Sequence, residues 1–190
     1  AVVVDCDYTL WHDAVGEAGP EGVTIEGRHL ELQHRLLALR ERGVLLCICS
    51  RNLEADVWAV LQRPDVPLSR EHVSAFRIAP TLQKSNAIQQ LAGEVEAPVE
   101  SLLFVDDNAA EIGEVRTRLP QLLTWLMPQT DPEVRTQLAH VWPMDLVGRA
   151  AATDADVHRA KLRAADAPRA ALRACSGSLA EYHRALNVQV

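Results

Sequence analysis

The 190-residue chain has no apolar run near the ~20 residues that a membrane-crossing helix needs. Its opening, Ala1-Val2-Val3-Val4-Asp5, has no basic stretch before it and is too short for the apolar core of a signal peptide. It reads as a strand already under way, so the chain is expected to be a piece of something longer. Positive charge is in deficit, with 19 Lys and Arg against 26 Asp and Glu and a formal charge of −7. That balance disfavours a sequence-independent grip on nucleic acid. Cysteine is sparse, at Cys6, Cys47, Cys49 and Cys175, and the spacing fits neither a zinc site nor a small disulfide scaffold. A reducing, cytoplasmic setting is expected. Internal repeats and low-complexity tracts are absent as well.

Three short apolar runs end abruptly in polar residues: Val2–Val4 before Asp5, Val44–Cys49 before Ser50, and Leu102–Val105 before Asp106. Continuous β-branched runs of this length predict strands buried on both faces, as in a parallel sheet. Helical patterns lie between them. Leu30 to Arg42 sets Leu32, Leu36 and Leu39 on one face, with Gly43 as a stop. Leu53 to Leu61 presents Val57, Val60 and Leu61, and Ser85 to Gly93 presents Ile88, Leu91 and Ala92. Alternating strands and helices predict right-handed crossovers and a doubly wound α/β sheet, whose ligands bind outside the carboxyl ends of the strands. Asp5, Asp7, Ser50, Asp106 and Asp107 would all lie at that edge.

Residues 11–28, rich in Gly, Pro and acids, predict a long loop or small flap beside the site, suited to capping a substrate. The alternative is an ordinary surface connection. A catalytic domain over 1–150 and a helical extension over 151–190 are expected. In that extension Thr153 would cap a helix from Asp154, Ser176-Gly177-Ser178 would break it, and a short helix would run from Leu179 to Leu186.

The strand ends carry the chemistry. Two carboxylates two residues apart, Asp5 and Asp7, can share a hard cation and divide labour between attack on phosphorus and proton transfer. Ser50 offers a hydroxyl and the amides after it for phosphate oxygens, or else caps the helix near Leu53. Lys84 opens a helix, where the dipole disfavours a cation unless an anion faces it. Adjacent Asp106 and Asp107 repel and raise each other's pKa unless a cation such as Mg²⁺ intervenes, although one of them could instead cap a helix.

These four stations, in this order, resemble the motifs of the haloacid dehalogenase (HAD) superfamily over residues 1 to about 125. The resemblance implies that fold, with Asp5 as nucleophile and Asp7 as general acid/base. It implies Ser50 and Lys84 on the phosphoryl group, and Mg²⁺ held by Asp5, the Asp7 carbonyl and Asp106 or Asp107. A closer likeness covers nearly the whole chain. It rests on Asp5-Cys6-Asp7-Tyr8-Thr9-Leu10-Trp11, Gly16-Glu17, Glu21-Gly22, Cys49-Ser50-Arg51-Asn52, Phe76-Arg77-Ile78, Phe104-Val105-Asp106-Asp107-Asn108, and Val141-Trp142-Pro143-Met144-Asp145 with Thr153-Asp154-Ala155-Asp156.

These segments resemble the FkbH-like branch, which takes 1,3-bisphosphoglycerate, releases phosphate and loads a glyceryl unit onto an acyl carrier protein in polyketide assembly. Arg51 and Asn52 then join Ser50 and Lys84 as phosphate-binding candidates. The chain departs from that pattern at Tyr8, where Asn is usual, and at His12-Asp13, where two glycines are. Acyl transfer implies a thiol intermediate, and Cys6 between the two aspartates is the candidate carrier, with Cys49 behind it. For Cys6, Cys49 and Cys175 alike, the alternative is a small buried hydrophobe. Two other readings stay open: a plain Mg²⁺-dependent phosphomonoesterase, and a non-catalytic carrier-docking module of a megasynthase.

Overall fold

The computed structural model describes residues 1–145. The expected helical extension, its Thr153 cap and Cys175 lie outside the described residues. Five parallel strands form one sheet in the order β3-β2-β1-β4-β5: β1 Val2–Val4, β2 Leu46–Ser50, β3 Ala75–Ile78, β4 Leu103–Asp106 and β5 Leu123–Leu126. The helices are α1 Val15–Ala18, α2 Gly27–Glu41, α3 Glu54–Val60, α4 Lys84–Glu94, α5 Ala109–Arg118 and α6 Asp131–Leu138. The doubly wound α/β architecture expected from the strand–helix alternation is the one observed. None of these helices is long and apolar enough to cross a membrane.

Period-2 alternation sorts the core into two layers. Val2, Val4 and Cys6 join Leu32, Leu36 and Leu39 of α2, Val57 and Val60 of α3, and Val134 and Leu138 of α6. Val3, Cys47 and Cys49 join Ala87, Ile88 and Leu91 of α4 and Ile112 and Val115 of α5 on the opposite face. Helix α2 ends as its glycine requires. Gly43, at φ 81°, donates to Arg40 O, and Val44 donates to Leu39 O, closing a Schellman motif.

Both edge strands, β3 and β5, were missing from the sequence reading. They are four residues each and mostly half-exposed, so they carry neither a continuous apolar run nor clean alternation. Residues 11–28 are more than a surface connection. Trp11, Val15 and Val23 are buried in the core, and His12 pairs with Thr24 in an isolated antiparallel bridge. Arg63 pins the segment by donating to Pro20 O at 2.7 Å and Val23 O at 2.8 Å.

The chain winds from β1 outward through β2 to β3, then crosses back to β4 on the other side of β1. The carboxyl ends of β1 and β4 therefore flank the topological switch point, where such sheets open a crevice.

Candidate active site

Asp5 follows β1 and donates its backbone N–H to Val105 O at 3.0 Å, which sets it beside the last residue of β4, Asp106. Lys84 reaches the same point from the first residue of α4. Its Nζ lies 2.9 Å from Asp5 Oδ1 and 2.5 Å from Asp106 Oδ2, while the whole residue is only 3% exposed. Lys84 is thus no solvated surface lysine, and the anions that offset the helix dipole are these two carboxylates.

Asp5, Asp106 and Asp107 each bring one carboxylate oxygen within 4.8 Å of the others. Burial pushes the Asp5 carboxyl up to about 6, Lys84 draws it down, and Asp106 raises it again. Burial also raises Asp106 against the pull of Lys84, and raises Asp107 with help from Asp5. For Lys84, burial works to lower the pKa, but Asp5 and then Asp106 outweigh it, so the ammonium stays charged. Three carboxylates against one ammonium leave two negative charges in a largely buried site. All-oxygen donors with that deficit fit a hard divalent cation.

The resemblance gives Asp7 to the cation through its carbonyl; a cation shared by its carboxylate, also expected, is not what the side chains form. The Asp7 carboxylate does not belong to this cluster. Its Oδ1 accepts three hydrogen bonds, from Trp11 Nε1 at 2.9 Å, Val15 N at 3.1 Å and Asn52 Nδ2 at 3.0 Å. The flap and the loop after β2 hold it at the cleft, outside that acid trio.

That cleft, about 260 Å³, is lined by both Asp5 and Asp7, by Ser50, Arg51, Asn52 and Lys84, and by Asp107. Ser50 closes β2 and is buried; the cap of α3 is Leu53, so the helix-capping alternative for Ser50 falls away. Arg51 stands at the rim, 3.0 Å from Glu111 Oε1 and donating to Leu82 O at 2.9 Å.

The structure does not bring Cys6 into the cleft. It is fully buried in the layer of Val2 and Val4, because the alternation of β1 turns it to the face opposite Val3. Burial, followed by Asp5, pushes its thiol well above the ordinary value, and a hydrogen bond with Ser50 only partly offsets this. Cys49 packs in the other layer, and burial likewise raises its thiol.

Several residues at the site escaped the sequence reading. Thr9 is fully buried; its Oγ1 accepts from Asp107 N at 3.2 Å and lies 3.5 Å from Asp107 Oδ1. Asn108 N donates to Asp106 Oδ1 at 2.8 Å, while the Asn108 side chain, not an aspartate, caps α5. Trp11, expected at the start of the flap, is fully buried, and only the fold brings its indole N–H to Asp7. Tyr8 and Glu111 complete the cleft wall. Tyr8 sits at φ 55°, a left-handed conformation unfavourable for a bulky side chain.

No family model matches the chain. No curated protein matches it either. Among solved structures it is similar to the N-terminal part of the protein BF1531 from Bacteroides fragilis, which contains a phosphatase domain and was crystallised in complex with Mg. The two agree with a TM-score of 0.70 at 22% identity over 80% of this chain, which spans 41% of that one. At that identity the likeness is one of fold.

Proposed function

We propose that this domain is a Mg²⁺-dependent phosphatase of the haloacid dehalogenase type, acting on a small phosphorylated substrate through an aspartyl-phosphate on Asp5. The observation that carries the reading is the buried charge imbalance: Asp5, Asp106 and Asp107 around the single ammonium of Lys84, at a cleft that Asp7 also lines. Asp5, Asp106 and Asp107 would hold Mg²⁺, which when bound offsets charge on the phosphoryl oxygens.

In the first step an Asp5 oxygen attacks phosphorus, the bond from phosphorus to the leaving oxygen breaks, and Asp7 gives that oxygen a proton. In the second, Asp7 takes a proton from water, the water oxygen attacks phosphorus, and the bond to Asp5 breaks to release phosphate. The three hydrogen bonds on Asp7 Oδ1 fix that carboxylate and leave Oδ2 for the proton. Ser50, Asn52 and Lys84 line the cleft to receive phosphoryl oxygens, with Arg51 at its rim. Phosphate release from p-nitrophenyl phosphate, dependent on Mg²⁺ and lost in Asp5→Asn, tests this. Full activity in Asp5→Asn sinks it.

The finer reading, glyceryl transfer from 1,3-bisphosphoglycerate to an acyl carrier protein, rests on the resemblance of the motifs. That substrate carries an acyl phosphate, which a thiol converts to a thioester while phosphate departs. Cys6 would need the core to open before serving as that thiol, so the carrier's pantetheine thiol is the better-placed nucleophile. Incubation with 1,3-bisphosphoglycerate, Mg²⁺ and a holo carrier protein should add a glyceryl mass to the carrier, in Cys6→Ala as in wild type. An unmodified carrier, with a preparation that releases phosphate, leaves the phosphatase reading alone.

A further inference from the structure

Helix α2 buries five residues, and two of them, His29 and Gln33, are polar. They stand one turn apart and so share a face. His29 Nδ1 lies 2.9 Å from Thr9 O, and Gln33 Nε2 donates to Leu10 O at 2.7 Å. A carbonyl only accepts, so Nδ1 carries the proton, which fixes the tautomer. Among the described residues His29 Nε2 has no hydrogen-bond partner, and the flap's His12 ring packs edge-on against the imidazole at 6.0 Å. Gln33 Oε1 meanwhile accepts from Leu68 N at 3.1 Å. An amide supplies both the donor and the acceptor; an apolar side chain would leave Leu10 O and Leu68 N unpaired and buried.

The two carbonyls held this way belong to the loop that joins the site's acids. Thr9 carries the hydroxyl that meets Asp107. Leu10 is followed by Trp11, whose indole N–H holds Asp7. We propose that His29 and Gln33 are positioning residues of the active site, His29 setting Asp107 through Thr9 for the cation, and Gln33 setting Asp7 through Trp11 for proton transfer. This deepens the phosphatase reading and rests on it. The division of labour separates it from a purely structural role, which would weaken both functions together.

The test uses the full chain, with Mn²⁺ as probe by electron paramagnetic resonance and p-nitrophenyl phosphate as substrate. His29→Leu should weaken Mn²⁺ about 10-fold, the low end of the loss when a metal ligand's own hydrogen-bond partner is removed, because His29 acts one residue further out through Thr9. His29→Asn, which keeps a donor near the Nδ1 position, should recover most of that affinity. Gln33→Met should lower kcat about 10-fold with KM and Mn²⁺ affinity little changed. Leu36→Ala, in the same helix and core but with no polar side chain to hold a loop carbonyl, controls for lost stability and should keep wild-type affinity. Wild-type Mn²⁺ affinity in His29→Leu, or an equal loss in Leu36→Ala, overturns the positioning role. A wild type that hydrolyses nothing, yet loses Mn²⁺ on His29→Leu, overturns the phosphatase reading and supports the assignment of His29.

Discussion

Replacing Lys84 by Met tests the electrostatic argument most directly. The substitution keeps an unbranched chain of similar reach and deletes the ammonium that sits 2.9 Å from Asp5 and 2.5 Å from Asp106. Both carboxylates then face each other in a buried site with nothing between them. Removing one partner from a buried ion pair costs about 3–5 kcal/mol. For a chain of this size each kcal/mol moves Tm by about 2–4 °C, so a fall of roughly 6–20 °C is expected at pH 7.5 in EDTA.

The pH dependence has a definite sign. Asp5 already binds its proton more tightly folded, at about 6, than at its ordinary 3.8. Its stabilising contribution is therefore full below about pH 4 and lost as pH rises through 6. Without Lys84 the Asp5 carboxyl rises further, and each unit of acidification below that value returns up to about 1.4 kcal/mol. The deficit of Lys84→Met should shrink markedly between pH 7.5 and pH 5, as read by thermal unfolding of both proteins. A deficit below about 1 kcal/mol at pH 7.5, or one that grows on acidification, would refute the reasoning.

Asp7→Asn should lower kcat by about 10²–10⁴-fold while leaving Tm nearly unchanged, because an Asn oxygen still accepts from Trp11, Val15 and Asn52; parallel kinetics and melting check both halves. Cys6 should resist iodoacetamide in the native protein at pH 7.5, since it is fully buried and its thiol is pushed up. Peptide mapping that finds it labelled within minutes would contradict that placement. Gly22→Ala should destabilise the flap by about 1–3 kcal/mol, because a Cβ there would sit 2.1 Å from the Ala18 carbonyl oxygen. Urea unfolding indistinguishable from wild type would show that the flap absorbs the clash.

Much of the fold was legible because the central strands bury both faces. Val2–Val4, Leu46–Ser50 and Leu103–Asp106 are buried throughout, so apolar content alone marks them. The edge strands Ala75–Ile78 and Leu123–Leu126 are half-exposed along most of their length, which removes that signal. Helix α2 was found from Leu32, Leu36 and Leu39, but its expected start at Leu30 left His29 outside, and Gln33, a polar residue on an apolar face, signals nothing until its partner is known.

The site divides in the same way. A parallel sheet delivers the ends of its strands to one edge, so the chain order already put Asp5, Ser50, Asp106 and Asp107 together, and an out-of-place cation pointed to Lys84. Distances between side chains belong to packing, which sequence order does not encode. Only the fold separated Asp7 from the acid trio, set Lys84 between Asp5 and Asp106, and showed which side of β1 each residue takes. The same alternation that turns Asp5 to its cation turns Cys6 into the core, and that was decided by how the layers pack against the sheet.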